Sequence, residues 1–329
     1  MNVESKVLAE LTEDGYSSGQ VISEKLNMTR SAVWKHIVKL RERGYDIEAS
    51  PRHGYRLAGR PDKLLPAEIK PLLTTEIIGS GILHLEETGS TADEIRALIE
   101  KGANEGVVAI AENQSAGRGR LGRAWKTSKG QAIALSVGLY PSISPTQVPL
   151  FSLATGLAVR RAVVTVAGER LTPALKWPND IYLHGKKLGG ILVEMSAELD
   201  RVKWVIDSIG LNVNNSFKGT DLAERATSLV TELGRRVSRR ELVVAILEEL
   251  EVEYNRMQTP QGLTAIRHEF ELYDLLQGRK VDVTTPDGPV KGIAMGIDKE
   301  GRLLVRASGG ETVSLFSGEA TLSGSGKLL

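Results

Sequence analysis

Residues 107–111, Val-Val-Ala-Ile-Ala, form the short unbroken apolar run expected of a buried strand. They lead directly into Glu112-Asn113-Gln114-Ser115-Ala116-Gly117-Arg118-Gly119-Arg120-Leu121-Gly122-Arg123. This basic stretch is therefore a loop leaving the end of a sheet, not a tail. Glycine lets the backbone approach a ligand closely, and each guanidinium offers a planar fork suited to phosphate or carboxylate oxygens. The stretch reads as an anion-gripping loop, while a solvated basic turn or an RNA-binding Gly/Arg segment fits these residues equally well. The rest of the chain has to decide.

At 329 residues the chain exceeds one ordinary core, which predicts two or three domains. With 41% hydrophobic and 25% charged residues it reads as a soluble globular protein. The net charge of +1 argues neither for nor against nucleic acid or membrane, so any basic surface must be local. The absence of cysteine excludes a disulfide framework, thiolate catalysis and a Cys-based zinc site. The start, Met1-Asn2-Val3-Glu4-Ser5-Lys6, has no signal-peptide core, and no apolar run of spanning length is read. The expectation is a cytoplasmic protein with no membrane partner.

In the first sixty residues, Val3, Val7, Leu8 and Leu11 share a helical face. Residues 20–26 give a second short helix, and Thr29 caps a third that stops at Gly44. Val33, Ile37 and Leu40 form the third helix's apolar face, which leaves Arg30, Ser31, Trp34, Lys35 and Lys39 outward or on the flanks, although Trp34 could equally be packed. Two short strands follow, around Ser50-Pro51-Arg52-His53. This order is a winged helix-turn-helix. From Lys25 to Arg60 there are nine Lys or Arg against three acids, so the basic surface is local. The expected DNA-facing residues are Arg30, Ser31, Trp34, Lys35, Lys39 and Arg52. A linker at 58–63 separates this domain, 1–62, from the next, which begins at Pro66.

Further along, 79–85 reads as a strand opening, followed by residues 86–94 and then a helix running to residue 100. Ser90 and Thr91 at the junction serve either as a helix start or as pocket hydroxyls. Residues 131–140 alternate as a strand, 149–166 form an apolar helix, and Trp125 could wall an apolar pocket. Two strands joined by a turn at 184–186 would bring Asn179, Asp180 and Lys187 together. A carboxylate and an amide suit Mg²⁺ and its waters, an ammonium suits a phosphate, and Gly189-Gly190 permits close backbone approach.

Five blocks stand in order: Gly-Ser-Thr at 89–91, Gly-Arg-Gly-Arg-Leu-Gly-Arg at 117–123, Lys-Trp-Pro-Asn-Asp at 176–180, Lys-Leu-Gly-Gly-Ile-Leu-Val-Glu at 187–194 and Ile-Gly-Leu-Asn-Val-Asn at 209–214. Together with the winged helix they resemble the bifunctional biotin protein ligases and biotin-operon repressors over nearly the full length. The resemblance implies that biotin's carboxylate is joined to the α-phosphate of ATP and that biotin is then passed to a lysine of a biotin carboxyl carrier protein, that of acetyl-CoA carboxylase. It implies a biotin site of Ser90, Thr91, Gln114, Gly117, Arg118, Gly119, Arg120, Trp125, Lys187 and Gly190, with Ala92 standing where an amide residue often follows the Ser-Thr pair. It implies an ATP site of Arg118, Arg120, Arg123, Lys176, Asn179, Asp180, Lys187 and Asn212, with Asp180 at Mg²⁺. Lys187 and Arg118 carry the expected catalytic roles, Arg118 as the arginine that holds the adenylate. Operator DNA and a ligand-promoted homodimer complete the implied partners. A ligand-sensing transcription factor with a dead ligase centre and a lipoate-type ligase are the competing readings.

Beyond residue 237, helices are expected at 242–257, after a capping box at Ser238, and at 261–276. Four strands then read at 280–284, 290–297, 302–306 and 312–316, similar to the family's SH3-like barrel. The expected fold is thus α+β and multidomain: a winged helix-turn-helix, a central mixed α/β ligase domain of the biotin/lipoate ligase type at 66–275, and an SH3-like β-barrel at 276–329. The five histidines are scattered, so no His-based metal site or triad is read.

Overall fold

The computed structural model describes residues 3–323; residues 1–2 and 324–329, the outer ends of the first and third expected domains, lie outside the described residues. The chain divides into two units, Met1–Lys63 and Leu64–Leu329. In the first, α1 (Val3–Ala9), α2 (Gly19–Lys25) and α3 (Arg30–Glu42) precede an antiparallel hairpin of β1 (Asp46–Ser50) and β2 (Gly54–Gly59). The Ser18 and Thr29 hydroxyls cap α2 and α3, each accepting the N–H three residues on. Val7, Leu8, Ile22, Val33, Ile37, Leu40 and Leu57 close the core beneath them. This is the expected winged helix-turn-helix.

The second unit opens with α4 (Pro66–Ile69), β3 (Ile82–Leu85), α5 (Thr91–Glu100), β4 (Val107–Ala111), β5 (Ala132–Leu139) and α6 (Pro149–Ala167). It continues through β6 (Ala174–Lys176), β7 (Asp180–Leu183), β8 (Lys186–Glu198), β9 (Arg201–Asn212), α7 (Leu229–Leu233), α8 (Arg239–Met257) and α9 (Pro260–Tyr273). Strands β3 to β9 form one sheet in the order β3-β4-β5-β9-β8-β7-β6, with β3 and β4 parallel and the rest antiparallel. Helix α5 packs with Ala109 and Ile206, whereas α6 and α8 join the larger core with Leu135 and Val137. With both faces covered, all eight β5 residues are buried, so the expected alternation does not set its exposure. Helix α6 corrects the reading that no apolar run could span a membrane: by length and composition it could, yet twelve of its 19 residues are buried in this core.

Helix α9 ends before the expected 276, because Asp274 is extended and bridges to Leu175. Five strands follow: β10 (Lys280–Thr285), β11 (Gly288–Ile297), β12 (Leu303–Ala307), β13 (Thr312–Leu315) and β14 (Glu319–Leu322), in the antiparallel order β13-β12-β11-β10-β14. The fifth, unforeseen strand carries Glu319 to the wall of a cleft.

Candidate functional site

A cleft of about 1020 Å³, counting its open mouth, lies where the N-terminus of α5, the loop after β4, strands β7 to β9 and the start of β14 converge. Several polar contacts gather beside Thr91. The Thr91 N–H and hydroxyl both donate to Gln114 Oε1 (2.9 and 3.1 Å). Thr91 Oγ1 lies 2.7 Å from Ser136 Oγ, which lies 2.8 Å from Ser208 Oγ. Ser90 occupies the N-cap position of α5 but its side chain makes no capping bond, which leaves this hydroxyl for the cleft it lines. Ala92 is buried and also lines the cleft.

Trp125 forms the apolar wall. A Cβ on Gly210 would stand within 2.8 Å of three indole atoms, so only glycine lets the ring lie on β9. The indole Nε1 is buried without a hydrogen-bond partner. Gly117 accepts the Trp125 N–H through its carbonyl at 2.8 Å, behind the cleft surface.

Five cations line the opening: Arg118, Arg120, Arg123, Lys176 and Lys187. Lys187 Nζ lies 2.6 Å from Asp180 Oδ1 and 5.8 Å from the centre of a Trp125 ring. A hairpin joins β7 to β8 and puts the two residues together. Its two-residue turn, His184-Gly185, takes positive φ at both positions, and a bulge precedes it between Ile181 and Tyr182. Burial lowers the Lys176 ammonium from its ordinary value against the pull of Asp180. Burial also pushes the neighbouring Tyr182 hydroxyl up to about 12.

The loop cations differ. Arg118 makes a bidentate bond to Asp93 (2.7 and 2.6 Å), which holds that carboxyl below its ordinary value. Arg123 pairs in the same way with Glu319, one of its bonds spanning 2.6 Å. Arg120 donates to the Gly318 carbonyl at 3.2 Å and is half-buried; burial lowers its guanidinium from the usual value. At the tip, Leu121 is exposed with φ +55° and Gly122 has φ +71°.

Residues 89–214 match the Biotin/lipoate A/B protein ligase family model, 3–56 an HTH domain model, and 277–323 the biotin protein ligase C-terminal domain model. Over 298 residues the chain is 40% identical to the bifunctional ligase/repressor BirA of Bacillus subtilis, covering 90% of each protein. The chain belongs to the bifunctional biotin ligase/repressor family. It is 29% identical to the Escherichia coli BirA over 95% of this chain and 97% of that one. It superposes on a biotin protein ligase from Aquifex aeolicus in complex with biotin and ATP with a TM-score of 0.64 at 27% identity, covering 75% of this chain and all of the other.

Most of the expected site of this biotin ligase/repressor relative comes together. Ser90, Thr91, Ala92, Gln114, Arg118, Gly119, Arg120, Arg123, Trp125, Lys176, Asn179, Asp180, Lys187 and Gly190 all line the one cleft. Asn179 spends its amide N–H on the Ile191 carbonyl at 2.7 Å. Gly117 and Asn212 are not among the lining residues; Asn212 is buried, its Oδ1 accepting from Asn215 at 3.2 Å. Sequence reasoning did not single out Ser136, Ser208, Asp93 or Glu319. A lone serine inside the otherwise apolar β5 was the available clue to Ser136, whereas Ser208 follows Asp207 on a strand of mixed polarity and nothing local marks the carboxylates as partners of the loop.

On the winged-helix unit, Arg30, Ser31, Trp34, Lys35 and Lys39 are all exposed along α3, and Arg52 is exposed at the hairpin turn. Trp34 is 54% exposed, so it is not a packing residue here. Arg43 and Lys39 approach Glu4 (2.7 and 3.7 Å), Arg56 pairs with Glu48, and Arg41 donates to the Ile47 carbonyl.

Proposed function

We propose that the chain is an ATP-dependent biotin protein ligase and also a biotin-responsive repressor that binds operator DNA. The observation that carries the ligase reading is the five-cation mouth joined to an apolar wall and a polar floor in one cleft. Bringing a carboxylate to the α-phosphate of ATP forces two anions together, which requires such a cluster of cations. A carboxylate oxygen of biotin attacks the α-phosphorus, the bond to the β-phosphate breaks, and pyrophosphate leaves. The amine of a carrier lysine then attacks the acyl carbon of biotinoyl-5′-AMP, and AMP leaves with the acyl C–O bond's electrons.

Lys187, released from Asp180, neutralises the carboxylate and the α-phosphate. Thr91, Gln114 and Trp125 receive the ring end of biotin. Arg120, half-buried in the cleft wall, holds the adenylate; Arg118, occupied by Asp93, joins it as the loop closes. Among the described residues no group of three or more His, Asp or Glu could hold a metal ion. Asp180 is the carboxylate in the cleft that would hold a Mg²⁺, and such an ion would supply positive charge to the nucleotide phosphates.

The carrier is the biotin carboxyl carrier protein of acetyl-CoA carboxylase, and the setting is cytoplasmic. The exposed cations of α3 and Arg52 meet DNA phosphates and base edges. Binding of biotinoyl-5′-AMP orders the 117–123 loop and promotes a homodimer that presents two winged helices to the operator.

Transfer of labelled biotin to a purified carrier domain, with ATP and Mg²⁺, tests the ligase reading in the wild type and Lys187→Ala. ATP-dependent transfer that falls about a hundredfold or more in the variant is expected. A folded wild type that binds biotin yet transfers none would overturn it in favour of a ligand-sensing regulator.

A further inference from the structure

The hydroxyl chain beneath the cleft has a direction. Gln114 Oε1 accepts the Thr91 backbone N–H at 2.9 Å, which fixes that atom as the carbonyl oxygen, an acceptor only. The Thr91 hydroxyl, 3.1 Å from the same oxygen, must spend its single proton there; otherwise two oxygens would face each other without a hydrogen. Ser136 Oγ then has to donate to Thr91 across 2.7 Å, and Ser208 Oγ to Ser136 across 2.8 Å. Ser136 and Ser208 are direct register partners on β5 and β9, and Ser136 is fully buried, out of reach of bulk solvent. All three protons run toward Gln114. Ser208, the one hydroxyl of the Ser136–Ser208 pair that lines the cleft, is left presenting lone pairs to it.

Ser208 shares the face of β9 with Gly210, two residues on, over which Trp125 lies. We propose that Ser208 is a specificity-determining residue whose oxygen accepts an N–H from the ring end of the substrate, one of the two ureido N–H groups of biotin. The proposal rests on the ligase reading above and deepens it. The matching family model joins biotin and lipoate ligases. A dithiolane acid carries no N–H and would leave the Ser208 acceptor desolvated and unpaired, whereas a cyclic urea satisfies it.

The test uses the full-length protein, biotin, and the two cyclic carbamate analogues of biotin in which one or the other ureido N–H is replaced by oxygen. Binding is measured by calorimetry, and adenylation by pyrophosphate release. Wild type is expected to bind one carbamate about tenfold or more weakly than biotin, since two acceptors then oppose each other. Ser208→Ala should raise the KM for biotin about five- to tenfold with kcat and the KM for ATP unchanged, and should lose its preference for biotin over that carbamate. Ser136→Ala provides an independent arm: it frees the Ser208 proton to turn outward, so this variant should tolerate the same carbamate while keeping most of its affinity for biotin. If both variants rank biotin over both carbamates by the wild-type factors, the role of Ser208 is wrong and the ligase reading stands. If wild type does not bind biotin at all, the ligase reading fails first.

Discussion

Arg239 Nη1 donates to Glu112 Oε2 across 2.8 Å, with neither side chain more than 2% exposed. Glu112 also accepts the Leu64 N–H at 2.8 Å and lies 3.2 Å from His84 Nε2. One carboxylate thus ties the first residue of the second unit, β3 and α8 to the root of the 112–123 loop. Burial pushes the Glu112 carboxyl up, but His84, the Arg239 charge and the Leu64 N–H outweigh it and hold the group at about 2. Its stabilising contribution is therefore complete above the ordinary 4.5 and is lost as pH falls toward 2. Arg239→Met should cost about 3–5 kcal/mol in denaturant unfolding near neutral pH, by leaving a buried charge unpaired. It should also flatten the acid side of the stability curve. Wild-type stability in the variant would remove this pair from the fold's supports.

The two loop arginines should separate in an adenylate-retention assay. Arg120→Ala, which empties the half-buried wall position, is expected to raise the fraction of biotinoyl-5′-AMP found in the filtrate about tenfold while the adenylate still forms. Arg118→Ala should leak less, since its guanidinium is already held by Asp93. The reverse order would return the retaining role to Arg118.

Asp207 lies opposite Val137, fully buried, with Thr155 donating to Oδ2 and no partner for Oδ1. Burial pushes its carboxyl up to about 7 from the ordinary 3.8, against the Thr155 bond. Between those values only the unfolded chain releases the proton, so stability falls as pH rises through this window and stays low above it. Asp207→Asn should therefore stabilise the protein by roughly a few kcal/mol near pH 8 and by little near pH 4. Thermal unfolding at the two pH values checks the difference; equal shifts would mean that the carboxyl keeps its ordinary value inside the fold.

On α3, charge and aromatic contacts should behave differently in DNA titrations at several salt concentrations. Lys35→Ala is expected to weaken operator and unrelated DNA alike and to reduce the salt slope by about one. Trp34→Ala should weaken the operator with the slope unchanged. A normal slope in Lys35→Ala would move the phosphate contact elsewhere.

Local pattern carried much of this molecule. Thr29 as a cap, the apolar faces of α3 and α6, the hairpin turn at His184-Gly185 and the five family blocks are all features a few adjacent residues determine. What could not be read depends on residues distant in the chain meeting in space. Glu112 finds Arg239 on α8 and Arg123 finds Glu319 on β14 of the C-terminal sheet, and Ser136 finds Ser208 only once β5 pairs with β9. Strand β5 shows the same limit, because its burial is set by helices on both faces and not by its own alternation. Strand β14 is short, and Glu-Ala-Thr-Leu has little strand character of its own, yet it supplies a wall of the cleft.

Three cations of the cleft are already neutralised by the protein itself: Arg118 by Asp93, Arg123 by Glu319 and Lys187 by Asp180. These carboxylates act as resident counterions that keep the mouth from repelling itself when no anion is present. A nucleotide bound there, as proposed, would enter by exchange, evicting internal partners as much as water and dissolved salt. Its affinity should respond to bulk ionic strength less steeply than a cluster of five positive charges would suggest, and each evicted carboxylate becomes free to take up a new partner at the moment the ligand is seated.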